Sequence, residues 1–407
     1  MTNPGKAFKA VVFFMLFANV YDMGGVFGIK YLSYLAGIGY LLYNYKPLRV
    51  RIEELWVVFL LFALIPTWAL FKGMSSGGSI GEASSQVTPF LPGILFMFIL
   101  SRGGYDLAVR YFFNILTALS ITVIAMFSLL MIAPFSAISQ TLLAIFQDPG
   151  HGYFGARGLA GIRIPHVYFK ATLFFVAGFT YFLFKGNRPR AFLFFATLVL
   201  AFSKAGILLC LVFLLVFVLF EARPKMKWAV VVFTGLLIYG MNTWGNAKVI
   251  GGYVETISNA VQGKALTTRI RIGHWNSFKD LMADHPDYLI WGQGVGTSYF
   301  SDGRKRHVYN IELDHVDAVR QFGLLWLIAF SLIVGYIALR LIRCRDPNKR
   351  AMGMAFVSIY LAAGTNPVLI TPLFMMLLAA LYTKMKHDTP PLLSPKLTAA
   401  LLAPNTN

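Results

Sequence analysis

The stretch "YFFNILTALSITVIAMFSLLMIA", residues 111–133, contains no charged side chain. A helix that crosses the hydrocarbon core of a bilayer needs roughly 20 such residues. Comparable apolar runs lie near 8–22, 25–44, 54–72, 88–101, 167–184, 191–203, 205–221, 228–243, 318–340, 351–364 and 367–383. Lipid gives backbone amides no hydrogen-bond partner, so spanning segments must be helices or a closed barrel. These runs are continuous rather than alternating, which argues against a barrel. Charged residues make up 13% of the chain, against about 25% in soluble domains. The expected fold is all-α and integral to the membrane, with about twelve transmembrane helices. One polytopic domain is expected over 1–385, with a disordered cytoplasmic tail over 386–407.

The formal charge of +19 does not indicate nucleic acid, because the basic residues sit in short loops between apolar runs. "KPLRVR", "SRGGYDLAVR", "KGNRPR", "EARPKMK" and "RLIRCRDPNKR" are basic, whereas the alternate loops "YDMGG", "KGMSSGGSIGEASSQ" and "GTNP" carry little net charge. The positive-inside rule assigns the basic set and both termini to the cytoplasm. The N-terminal run lacks a small-residue cleavage site and reads as a retained first span. Two cysteines, Cys210 and Cys344, exclude a disulfide framework.

Two long loops fall on the outer side, about 135–166 and about 244–317. Loops of this length in a compact protein are commonly functional. They hold His151, His166, His274, His285, His307 and His315, and the second holds Glu255, Asp280, Asp284, Asp287, Asp302, Glu312, Asp314 and Asp317. Chemistry, if present, is expected there, although polar residues also belong in water for no further reason.

From Thr267 to Ala283, Trp275, Phe278 and Met282 share one helical face. Arg271 precedes Trp275 by four residues and is placed to stack on its indole. Such a helix suits the membrane interface. Arg269 and Arg271 then read either as snorkelling anchors or as a clamp for phosphate oxygens, which a planar guanidinium fits. "GQGVG", Gly292–Gly296, lacks a βαβ context and reads as a structural turn. In "IELDHVDAVRQFG", Glu312, Asp314, His315 and Asp317 crowd six positions. Glu312 and His315 are expected to pair as carboxylate and imidazole. The plainer reading is helix-start charge. No regular metal-ligand spacing appears, so metal catalysis is set aside. "RGLAGIRIPH" adds Arg157, Arg163 and His166.

These stretches, in this order, resemble the superfamily of bacterial O-antigen polymerases and O-antigen ligases. Arg157, Gly161 and Pro165 fit the first motif, with His166 where asparagine is usual. "FSKAG" is similar to the family's hairpin motif, with Lys204 replacing arginine. Arg271, Trp275, His285, Pro286, Gly292, Gly294 and Gly296 match the large-loop pattern, and His315 and Gly323 follow in place. The short gap from His315 to Gly323 looks more like polymerases than ligases. The resemblance covers roughly 150–385.

It implies a GT-C-like glycosyltransferase using an undecaprenyl-diphosphate-linked oligosaccharide at the periplasmic face of the inner membrane. It needs no cofactor or metal, and a chain-length regulator protein is a partner to expect. Arg157, Arg163, Arg269 and Arg271 would hold the diphosphate. His315, or one of Glu312, Asp314 and Asp317, would act as base, with Trp275, His166 and Lys204 in support. The acceptor would be a second lipid-linked repeat unit in a polymerase, or lipid A core in a ligase. A flippase is the alternative of another class. It is disfavoured because Asp22, Lys30 and Lys204 sit near outer span ends rather than at the midplane.

Overall fold

The fold is that of a computed structural model, which describes residues 5–44, 59–101, 103–146, 152–159, 162–221, 258–259 and 262–388. The expected span at 228–243, the tail beyond 388, Gly161, His151 and Glu255 lie outside the described residues.

Helices dominate. α1 (Lys6–Tyr21) and α2 (Ile29–Tyr43) pack as a pair. A π-helical turn, Phe59–Leu64, continues into α3 (Ile65–Ser75). α4 (Ile80–Val87), α5 (Phe90–Leu100), α6 (Tyr105–Ile132) and α7 (Ala137–Ile145) follow. After a β-hairpin and the 3-10 turn Lys170–Phe174 come α8 (Phe175–Phe184), α9 (Arg188–Leu200) and α10 (Lys204–Phe220). The last part holds α11 (Leu266–Asp284), α12 (Pro286–Trp291), α13 (Asp314–Phe322), α14 (Leu324–Ile342), α15 (Pro347–Ala362) and α16 (Pro372–Asp388).

The centre of the bundle is α8 with α16. From Phe175 to Leu183 every residue of α8 is buried, as is every residue from Leu373 to Leu381 of α16. A helix that is apolar all round belongs inside. α8 packs on α9 and α15, and α16 packs on α5 and α6. On the periphery the pattern inverts. Leu208, Leu211, Leu215 and Leu219 of α10 are exposed, as are Leu325, Leu332 and Leu339 of α14. Those spacings draw one outward leucine stripe on each helix. In water such stripes would promote association; in a bilayer they meet acyl chains. Among the described residues, three stretches have the length and apolarity to cross a membrane, Ile80–Leu100, Tyr105–Ile132 and Leu324–Ile342, with four shorter apolar helices besides.

Ion pairs join helix ends that the loop charges place on one side. Lys384 of α16 pairs with Asp106 of α6, and Arg350 of α15 reaches Glu221 after α10 at 2.6 Å. Lys72 of α3 meets Asp287 of α12 at 3.3 Å, between two loops assigned to the other side.

The described residues are mostly helical, in line with an all-α membrane fold, and three details differ from expectation. Two short antiparallel ribbons accompany the helices. β1 (Gly152–Leu159) and β2 (Ile162–Phe169) form an antiparallel hairpin, and β3 (Tyr299–Ser301) pairs with β4 (Arg306–Val308). The hairpin takes residues 167–169 from an expected span, because a short apolar run has no period that separates strand from helix. Pro165 sits in β2 opposite Ala156, tolerated because a two-stranded ribbon has free edges. The span expected over 318–340 is broken at Gly323 (φ 88°), between α13 and α14. Residues 386–388, expected in a disordered tail, end α16.

Candidate functional site

α11 runs over almost the range its periodicity predicts. Its inner face buries His274, Ser277 and Phe278, and Phe278 stacks on the half-exposed Trp275 at 5.7 Å. Arg271 does not turn to Trp275 as expected. It reaches Glu312, with Nη2 to Oε2 at 3.2 Å. Arg304, in the β3–β4 turn, takes the other carboxylate oxygen, Nη2 to Oε1, at 3.0 Å. Glu312 lies before α13 begins, so the expected Glu312–His315 pair within one helix is replaced by a two-arginine bridge. The Nε of Arg271 is buried with no hydrogen-bond partner. Arg269 is exposed. Two residues are roughly 200° of helix, so Arg269 and Arg271 face opposite ways and do not converge on one site.

The hairpin lies within electrostatic reach of this pair. Burial, then the Glu312 carboxylate, hold the Tyr168 phenol of β2 above its ordinary range, while Arg271 opposes them. Arg157 is paired with Ile164 and Arg163 with Gly158, at adjacent register positions near the hairpin tip. His166 is buried, its Nε2 lies 3.1 Å from the carbonyl of Ala201, and the rings of Tyr153 and Phe202 flank it. It therefore ties β2 to the α9–α10 turn, where Phe202 adopts φ 52° and Lys204 opens α10.

The acidic residues of α13 have structural partners. Asp314 is buried and accepts hydrogen bonds from the backbone N–H of Val368, at 2.7 Å, and of Leu369. It thereby holds the turn between α15 and α16. Burial pushes its carboxyl up to about 7, against those backbone donors. Asp317 accepts from Arg320 Nε at 2.8 Å and Gln321 Nε2 at 2.8 Å, and burial raises its carboxyl against the pull of Arg320.

Arg320 was not singled out by sequence reasoning, yet it is the fully buried charge of this region. Its Nη1 donates to Gln293 Oε1 at 3.0 Å and to the Thr297 carbonyl at 3.1 Å, and its Nη2 to the Tyr309 carbonyl. It stands over the Tyr299 ring at 5.2 Å. The glycine run is thereby fixed as a structural turn. Val295 donates to the Ala69 carbonyl at 3.0 Å, and a Cβ on Gly294 would sit 2.3 Å from the backbone N of Gly73. Only glycine permits that approach to α3.

His315 is half-buried, edge-on to the Tyr360 ring at 4.8 Å, and its buried Nε2 has no hydrogen-bond partner. Burial lowers its pKa below the ordinary imidazole value, which favours the neutral ring at neutral pH. A neutral imidazole with an unpartnered nitrogen can take a proton from a group that reaches it. His274 was passed over as a site residue. It is buried with Nδ1 at 2.7 Å from Ser301 Oγ, and burial lowers its pKa while the charges of Glu312, Arg304 and Arg271 act on it.

The site therefore brings together α11, the β3–β4 turn and the entry to α13, with β2 within electrostatic reach. It contains Arg271, Arg304 and Glu312, with His315 three residues beyond Glu312. No curated protein matches the chain. Residues 190–317, which include α11, the β3–β4 turn, Glu312 and His315, match the family model described as O-antigen ligase. That match supports the superfamily of O-antigen ligases and polymerases that the sequence motifs resemble, and with it a membrane enzyme whose activity is of the ligase or polymerase type.

Proposed function

We propose that this protein is a glycosyltransferase that takes its glycan from a polyprenyl diphosphate and passes it to a hydroxyl of a second lipid-linked glycan. The carrying observation is the half-open pair of Arg271 and Arg304, with a spare buried donor on Arg271, inside the family-matched stretch. The bond from the anomeric carbon to the phosphate oxygen breaks, and a bond from that carbon to the acceptor oxygen forms. Negative charge grows on the departing diphosphate, where guanidiniums held in place stabilise it. His315 takes the acceptor proton. Arg157, at a register position on the face of β1–β2 that carries Tyr168 and His166, is a further donor to the diphosphate in this reading, whereas Arg163, one position away, falls on the opposite face of the ribbon. Asp314 and Asp317 support the site rather than react, since their oxygens already serve backbone amides and Arg320.

The short gap from His315 to Gly323 favours a polymerase, and the family match fits polymerase and ligase alike. Glycan profiling of a deletion strain separates them. A single repeat on lipid A core identifies a polymerase; bare core with accumulated lipid-linked polymer identifies a ligase. Normal polymer on lipid A core refutes both. This reading puts the site at the periplasmic face of the bacterial inner membrane with both termini cytoplasmic, a topology supported by the alternation of basic and neutral loops. A tag inserted at Gly263 should be accessible from the periplasm, and labelling only from the cytoplasm would reverse the topology.

A further inference from the structure

We propose that Arg304 is a ligand of the diphosphate alongside Arg271, and that Glu312 is an internal anion that occupies their site until the substrate displaces it. This inference rests on the diphosphate reading of Arg271 given above.

The position of Arg304 is built, although its side chain is 40% exposed. A Cβ on Gly273 would lie 2.3 Å from the backbone N of Gly303, so the β3–β4 turn rests backbone against backbone on α11. Ser277 Oγ accepts from the Asp302 N–H at 2.8 Å, and Ser301 Oγ accepts from the Arg304 N–H at 3.2 Å. Ser301 is in turn bonded to the buried His274. The result is two guanidiniums, from segments more than thirty residues apart, that meet on one carboxylate.

Each arginine gives one Nη2 to a different oxygen of Glu312. Non-bridging oxygens of a diphosphate can receive the same two donors, and they offer further acceptors for the spare Nε of Arg271. Charge decides between the occupants. Two guanidiniums and one carboxylate leave one positive charge; a diphosphate diester brings two negative charges. With Glu312 in place, the entering diphosphate meets a like charge. With Glu312 withdrawn, the two guanidiniums balance it.

The contact is also one that can open. The side chains of Arg271 and Glu312 are 28% and 33% exposed, and ion pairs that wet are weak. Asp317 and Arg320 make the opposite kind of pair, 6% and 0% exposed, in which neither partner can leave cheaply. Glu312 precedes α13 and is not held by helix hydrogen bonds. In the empty protein it keeps two like-charged arginines side by side, preorganised for the anion.

Calorimetry on the full chain in nanodiscs, with inorganic pyrophosphate as the probe, tests this. Glu312→Gln keeps the shape and removes the competing charge. It should tighten pyrophosphate binding by about tenfold or more at low salt. Arg304→Gln should weaken it by a similar factor, and Arg304→Gln in the Glu312→Gln background should cancel the gain. Unchanged or weaker binding by a folded Glu312→Gln protein overturns the stand-in role. Wild-type affinity in Arg304→Gln overturns the ligand role of Arg304, and that variant is informative even if Glu312→Gln fails to fold. If Arg271→Gln binds pyrophosphate as wild type does, the diphosphate reading itself falls and this inference with it.

Discussion

Arg320→Met leaves Asp317 buried without its counter-ion. The guanidinium is fully buried and makes hydrogen bonds to Asp317, Gln293, Thr297 and Tyr309, so the substitution strands acceptors on three separate segments. Breaking a buried ion pair from one side costs about 3–5 kcal/mol. At roughly 2 °C per kcal/mol for a long chain, the apparent Tm should fall by about 6–10 °C. The assay is thermal unfolding of purified protein in detergent, followed by size exclusion, with proteolysis of the 293–310 region as a local readout. The double variant Asp317→Asn/Arg320→Met removes both charges. It should be less destabilised than the sum of the single variants, because the two residues are in direct contact. A Tm within 1–2 °C of wild type for Arg320→Met, well short of that range, would refute the view that this arginine holds the glycine turn to α13.

Asp314 gives a pH signature. Its folded pKa is raised, so the folded state binds a proton more tightly than the unfolded chain does. Its stabilising contribution is full below its ordinary value of 3.8 and is lost as pH rises towards and through about 7. Unfolding temperature should decline across that window, and Asp314→Asn should flatten the decline; an equal slope in both proteins would contradict it. His315 has a lowered pKa, so the acid limb of kcat/KM should lie below the ordinary 6.5 and vanish in the residual activity of His315→Ala, whose rate falls by about 10²–10⁴. An acid limb that persists in His315→Ala moves the base elsewhere. Gly73→Ala puts a Cβ 1.8 Å from the Val295 carbonyl, so it should lower folded yield and Tm while the conservative Ala69→Ser has a smaller effect; equal yields would show that the turn can move away freely.

The sequence makes α11 legible because a polar, 3.6-periodic stretch of 19 residues stands apart from the apolar runs. The same periodicity should have separated Arg269 from Arg271, which are too close in sequence to share a face. The β1–β2 hairpin was hidden because its aromatic and β-branched residues run straight into an apolar helix. Arg320 did carry a signal, an acidic residue three positions earlier at the mouth of a span, but one turn of helix does not reveal full burial. Arg304 carried none. Its place beside Arg271 depends on the contact of Gly273 with Gly303, and that contact is tertiary. His274 likewise sits between two residues of a loose motif and acquires its meaning only from Ser301.

The most direct measurement is the reaction itself. Purified protein in nanodiscs is given a single undecaprenyl-diphosphate-linked repeat unit, and both glycan length and free undecaprenyl diphosphate are followed by mass spectrometry. Wild type should release one undecaprenyl diphosphate for each linkage formed, and Arg271→Lys should lose most of this turnover at normal expression, because an ammonium cannot present the guanidinium's planar fork. Polymer formed equally well by Arg271→Lys, or no release of undecaprenyl diphosphate by a folded wild-type protein supplied with donor and acceptor, would contradict the proposed reaction.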